Sequence, residues 1–136
     1  MRTLALDPGT RRIGVALSDT KGTLAFPRDA IAAGDDAVNA IVAVARDEAV
    51  GTIVVGRPLS LAGAETASTA MADQLRGALT LALPEVAIVS HDERLTTKSA
   101  ERSLREAGRT AREQRSLVDS AAAVVLLQSY LDASTH

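Results

Sequence analysis

Acidic residues at three separated points of the chain could do chemistry together. Asp7 closes an apolar run in "LALDPGTRRIGVALSD", the pair Asp92 and Glu93 closes another in "EVAIVSHDE", and Asp119 lies inside "SLVDSAAAVVLL". Converging carboxylates repel one another and do not all stay ionised unless a cation neutralises them. A hard divalent ion does this with oxygen ligands, and Mg²⁺ keeps waters and binds substrate phosphates. Two such ions about 3.5–4 Å apart can stabilise the attacking and leaving oxygens of a phosphodiester displacement. Each acid also has a plainer reading. Asp7 can be the first residue of a β-turn, Asp92 and Glu93 can face water, and Asp119 can complement a helix N-terminus. The apolar setting of Asp119 sits less easily with a solvated role.

The rest of the composition narrows the chemistry. There is no Cys, which excludes disulfides, zinc-thiolate sites and thiol nucleophiles. With only His91 and His136 present, a histidine-based metal site has little to build on, and a Ser-His-Asp triad would have to use His91. His91 reads first as a satisfied histidine at a strand edge. "VVGRPLSLAGAE" follows an apolar run, and Gly56 and Gly63 would let backbone amides approach an anion, with Arg57 adding charge. It lacks the ending of a Walker loop, and "DPGTRRIG" is no dinucleotide fingerprint. An ordinary loop with turn glycines is the competing reading.

The formal net charge is −2, so the molecule as a whole is not a basic nucleic-acid binder. Charge is unevenly spread, however. Arg94, Lys98, Arg102, Arg105, Arg109, Arg112 and Arg115 face only Glu101, Glu106 and Glu113 in the same stretch. Such a segment can track a phosphate backbone or form a solvated helix face. It joins Glu93 to Asp119 and so must border the acidic cluster. One Phe, one Tyr and no Trp make base stacking poor, so recognition should rest on backbone and shape.

The elements that must position these residues follow from pattern. A chain of 136 residues is most simply one domain, residues 1–136, with a core of Ala, Val, Leu and Ile because aromatics are 1%. Strands are expected near 3–7 and 12–18, joined by the "DPGT" turn, where Gly tolerates positive φ. A third covers "TLAFPRDAI", with Pro27 demanding an edge or a bulge. A helix follows over "DAVNAIVAVARDEA", then the buried parallel strand "GTIVVG", a helix near 65–83, a strand in "EVAIVSHDE", a helix near 97–107 and a last helix near 112–131. The order βββαβαβαα predicts an α/β fold: a five-stranded mixed sheet with helices packed on both faces, the order of the ribonuclease H-like fold. No signal-peptide pattern and no apolar run near the roughly 18 residues of a membrane span are present, which predicts a cytoplasmic protein without a membrane partner.

"LALDPGTRRIGVALSD", "VVGRPLSLAG", "DERLTT" and "VDSAAAVVLLQSYL", in that order, closely resemble the YqgF/RuvX family along essentially the whole chain. The resemblance implies a ribonuclease H-like fold related to the RuvC junction resolvases. It implies a metal-dependent nuclease with Asp7, Glu93 and Asp119 as catalytic residues and ligands of one or two Mg²⁺ or Mn²⁺ ions, leaving open whether Asp92 shares Glu93's role. The substrate it implies is precursor 16S rRNA, processed at its 5′ end. The alternative is a four-way DNA junction, which favours a homodimer. Arg11, Arg12, Gly56, Arg57 and Arg94 are the expected substrate-binding residues. The family loop usually reads close to "GLPLNMDG", so Arg57, Ser60 and Ala62 depart from it. Two other classes compete: a non-catalytic nucleic-acid or ribosome-assembly factor, and a phosphotransferase of the sugar- or acetate-kinase type, for which the chain is too short to form a two-domain cleft.

Overall fold

Apolar runs joined only by residues 9–11 must pair antiparallel, because so short a link cannot cross over a sheet. Strands β1 (Arg2–Pro8) and β2 (Arg12–Ser18) do so, with Leu6 opposite Val15 and Asp7 opposite Gly14. The structure, a computed structural model, describes residues 1–58, 62–93 and 111–134, the side chains of 111–119 and 134 excepted. Strand β3 (Ala25–Ala32) adds antiparallel to β2. Helix α1 (Ala37–Asp47) then crosses over to β4 (Val50–Arg57), and α2 (Ala67–Ala82) crosses to β5 (Ala87–Asp92), both strands parallel to β1. Helix α3 (Ala111–Ser134) is the last described element. The sheet order is β3-β2-β1-β4-β5. Pro27 therefore sits on an edge strand, where its missing N–H leaves no central ladder bond unmade.

The expected elements that fall among the described residues are present, with shifts of at most three residues at their ends. Helix α2 starts at Ala67 because Thr66 caps it: Thr66 Oγ1 accepts from Thr69 N–H, and Thr69 Oγ1 accepts from Thr66 N–H at 2.9 Å. The turn after β1 differs in its cause. Gly9 does not have positive φ; a Cβ there would lie 2.5 Å from the Arg12 carbonyl oxygen, so glycine is needed for close approach. The helix expected near 97–107 lies outside the described residues.

The two faces of the sheet are built differently. Leu4, Leu6, Ile13, Val15, Leu17, Ile53 and Val55 bury one face under Ile41 of α1 and Leu79 of α2. Ala5, Ala16 and Val54 form the other under Ala123, Leu126, Leu127 and Leu131 of α3. Side chains alternate along a strand, so β1 puts Leu4 and Leu6 on the first face and Ala5 on the second. Small residues on the second face let the long apolar helix lie close to the sheet.

Polar contacts fix α3 along its length. The buried Ser120 hydroxyl donates to the Arg28 carbonyl at 2.6 Å and accepts from Val15 N–H at 3.3 Å. That amide is available because the β2–β3 register shifts between Ile13 and Val15. Further on, Gln128 donates to the Thr23 carbonyl at 2.9 Å and accepts from Ala25 N–H at 3.1 Å. Among the described residues no helix is long and apolar enough to cross a membrane.

Candidate active site

Strand alternation decides where the acids go. On β1, Asp7 shares the face of Ala5, which is the face covered by α3. Its ladder partner Gly14 lies on the same face as Ala16. On β4, Gly56 follows Val54 onto that face, and on β5 His91 follows Val89. Asp7, Gly56 and the end of β5 thus lie side by side at the carboxyl ends of three parallel strands, where ligands gather in such sheets. The ladder continues past Asp7 to Pro8 opposite Ile13, so Asp7 belongs to the strand and does not open the turn.

Strand β4 lies between β1 and β5. Neighbouring strands are about 4.8 Å apart, so an acid beyond β5 must reach across β4 to meet Asp7. Glu93 does this. Its side chain lies over Gly56, and its carboxyl is hydrogen-bonded to Asp7. Burial is the first cause that pushes the Glu93 carboxyl up, to about 9, followed by the hydrogen bond to Asp7 and the negative charges of Asp7 and Asp92. Near neutral pH and without a cation, Glu93 therefore holds a proton and donates it to Asp7. Asp92 alternates onto the opposite face with Ile88, and reaches Glu93 as the last of these influences.

Asp119 lies in α3 directly before Ser120, whose two hydrogen bonds pin that point of the helix to β2 and β3; the side chain of Asp119 is outside the description. Among the described residues no three or more His, Cys, Asp or Glu side chains gather as a metal cage. The Asp7–Glu93 pair supplies hard oxygen donors already held in contact. A divalent cation suits that donor set, because its charge replaces the shared proton and removes the repulsion.

The remaining expected residues divide. Arg11 and Arg12 stand exposed at the β1–β2 turn, at the same end of the sheet as Asp7. Arg94 and Ser60 lie outside the described residues. Gly56 has a buried backbone under the Glu93 side chain, a task the sequence did not announce. Gly63 adopts φ 82°, a turn requirement. Arg57 is held by Asp73 at 3.1 and 3.3 Å and by Glu65, and both acids hold its guanidinium above its ordinary range. Thr69 Oγ1 donates to the Pro58 carbonyl nearby. These contacts tie the start of the β4–α2 loop to α2. His91 is hydrogen-bonded to Ser129 of α3 at 3.1 Å, with its ring edge-on to Tyr130 at 6.4 Å. It braces the helix against β5, the satisfied role expected of it.

This architecture is that of the ribonuclease H-like resolvases. The chain superposes on Thermus thermophilus RuvC bound to a Holliday junction substrate with a TM-score of 0.59 at 16% identity, covering 99% of this chain and 96% of that one. It superposes on the fowlpox virus resolvase with a TM-score of 0.63 at 8% identity, covering all of both chains. Within that class the chain belongs to the RuvX family, described as Holliday junction resolvase, whose family model matches residues 1–133. Among its relatives, a protein of Leifsonia xyli subsp. xyli named "Putative pre-16S rRNA nuclease" is 45% identical over 133 residues, 96% of this chain and 84% of the relative. A protein of Thermobifida fusca with the same name is 42% identical over 142 residues, 97% of this chain and 89% of the relative.

Proposed function

We propose that this chain is a divalent-cation-dependent endonuclease that hydrolyses phosphodiester bonds of structured nucleic acid, with precursor 16S rRNA as its substrate. The observation that carries the reading is the Asp7–Glu93 carboxyl pair, joined across Gly56 at the carboxyl ends of β1 and β5. Membership of the RuvX family and relatives named as pre-16S rRNA nucleases support the reaction class and substrate.

Asp7, Glu93 and Asp119 would hold one or two Mg²⁺ or Mn²⁺ ions. Bound there, such an ion would supply Lewis-acid chemistry, polarising a phosphoryl oxygen and activating water at neutral pH. The chain's own residues do the rest. With a cation bound, both carboxyls would be ionised donors, and the proton that Glu93 shares with Asp7 would be released. Ser120 and His91 set α3 against the sheet, and Asp119, next to Ser120 in that helix, would supply the third acid. Arg11, Arg12 and Arg94 would hold substrate phosphates, giving affinity for the backbone without reading base identity. The Arg57 side chain is engaged by Asp73 and Glu65, which ties the end of β4 to the start of α2 beside the site. Hydrolysis breaks one P–O ester bond, with the water oxygen taking its place on phosphorus and a proton passing to the leaving oxygen.

The RuvX family description favours a second substrate, a four-way DNA junction, for which a homodimer would set two sites on one molecule. The test is Mn²⁺-dependent cleavage of a precursor 16S rRNA fragment and of a four-way junction, each with the wild type and with Asp7→Asn. Cleavage of the RNA that disappears in a folded Asp7→Asn protein is the expected result. Preference for the junction selects the second substrate. Salt-sensitive binding with no turnover of either would overturn the nuclease and leave a non-catalytic binding factor.

A further inference from the structure

We propose that Gly56 is a positioning residue of the site: its missing side chain is what allows the Glu93 carboxyl to reach across β4 to Asp7. The inference rests on the nuclease reading of that carboxyl pair and assigns Gly56 a duty other than contact with substrate.

The geometry leaves little choice. A Cβ built on Gly56 would lie 2.6 Å from Glu93 Cδ and 2.9 Å from Cγ, and nearer still to Oε1. Van der Waals contact between carbons begins near 3.5 Å. The carboxyl would therefore have to move by about 1 Å. Backbone conformation does not explain the glycine, since the positive-φ glycines described are Gly22, Gly34 and Gly63. Nor does a closer approach of a neighbouring main chain, because the three atoms nearest the added Cβ all belong to the Glu93 side chain. That side chain is long, only partly buried at its residue level and lies beyond the end of β5, so its displacement breaks no ladder bond. The fold tolerates the methyl group, and the position of one carboxyl does not. On the other flank of Asp7, its ladder partner is Gly14, so the strand-1 acid has no side chain directly beside it on β2 or β4.

The experiment compares Gly56→Ala with Gly77→Ala, a helix position where an added Cβ meets nothing within 4 Å. Three quantities are read: urea unfolding midpoint, Mn²⁺ binding by calorimetry, and cleavage of the precursor RNA fragment. For Gly56→Ala we expect a midpoint close to wild type, Mn²⁺ affinity reduced tenfold or more, and turnover reduced about 100-fold, the usual consequence of a 1 Å misplacement of a reacting group. Gly77→Ala should bind and cleave as wild type. Should Gly56→Ala be markedly less stable, the double variant with Glu93→Ala decides, because it removes the atoms that collide. Restored stability in the double variant supports the contact, and stability no better than Gly56→Ala alone overturns it. Wild-type Mn²⁺ affinity and turnover in a folded Gly56→Ala protein also overturn the inference. If wild type and Gly77→Ala themselves fail to bind Mn²⁺, the nuclease reading falls instead.

Discussion

Replacing Glu93 by Gln should make the metal-free protein more stable at neutral and alkaline pH while removing its cation site. The folded-state carboxyl is raised to about 9 from an ordinary value of 4.5. Between those values the folded chain carries a proton that the unfolded chain has lost. Stability from this group is therefore full below about pH 4.5 and falls as pH rises towards 9. One proton corresponds to a slope of about 1.4 kcal/mol per pH unit, which accumulates to roughly 3 kcal/mol by pH 7. Gln keeps a donor for Asp7 and cannot ionise, so it escapes that loss. Asp19 and Asp73 shift in the opposite direction, held low by Thr23 and Arg57 respectively. Their stabilisation is present above 3.8 and lost as pH falls through their folded values, outside the relevant window and common to both proteins. The assay is urea unfolding of wild type and Glu93→Gln in EDTA at half-unit steps from pH 5.5 to 8.5. The difference in unfolding free energy should grow steadily in favour of Gln. A difference that stays flat would show that Glu93 does not share a proton with Asp7, and the pairing argument would fail.

Two more predictions follow from the same contacts. Because the pair must release its proton to take up a cation, Mn²⁺ affinity should rise about tenfold per pH unit between pH 6 and 8, with one proton released per ion. Calorimetry in buffers of different ionisation enthalpy reads this, and a pH-independent affinity would contradict it. Ser120→Ala leaves the Arg28 carbonyl and Val15 amide without their partner, so it should lower stability by about 1–3 kcal/mol. It should also reduce turnover at temperatures where the variant is fully folded, since Asp119 adjoins the anchor; unchanged turnover there would separate Ser120 from the site.

Much of this arrangement is legible in residue order. The short link between "RTLALD" and "RIGVALS" requires a hairpin, and the β-branched "GTIVVG" between helical patterns requires a buried parallel strand. The acids at strand ends follow from those two facts. What pattern does not carry is contact between distant residues. Gly56 reads as a loop glycine until Glu93 is seen lying over it. Arg57 reads as a phosphate ligand, and pattern does not show that Asp73 and Glu65, one of them on α2, contact its guanidinium. The choice between Asp92 and Glu93 was available in principle, because alternation from Val89 and His91 puts position 93 on the face of α3 and position 92 on the other. Ser120 carried a signal too, as a hydroxyl heading an apolar helix face, but its acceptors lie on β2 and β3 at a register shift that no local pattern announces.

The position of α3 in the polypeptide has a bearing on when activity can begin. Asp7 and Glu93 are both synthesised before it. The acid proposed to complete the cluster arrives only with the final helix, clasped by Ser120 and Gln128. A nascent chain thus lacks the proposed third acid until the helix that carries Asp119 has been made.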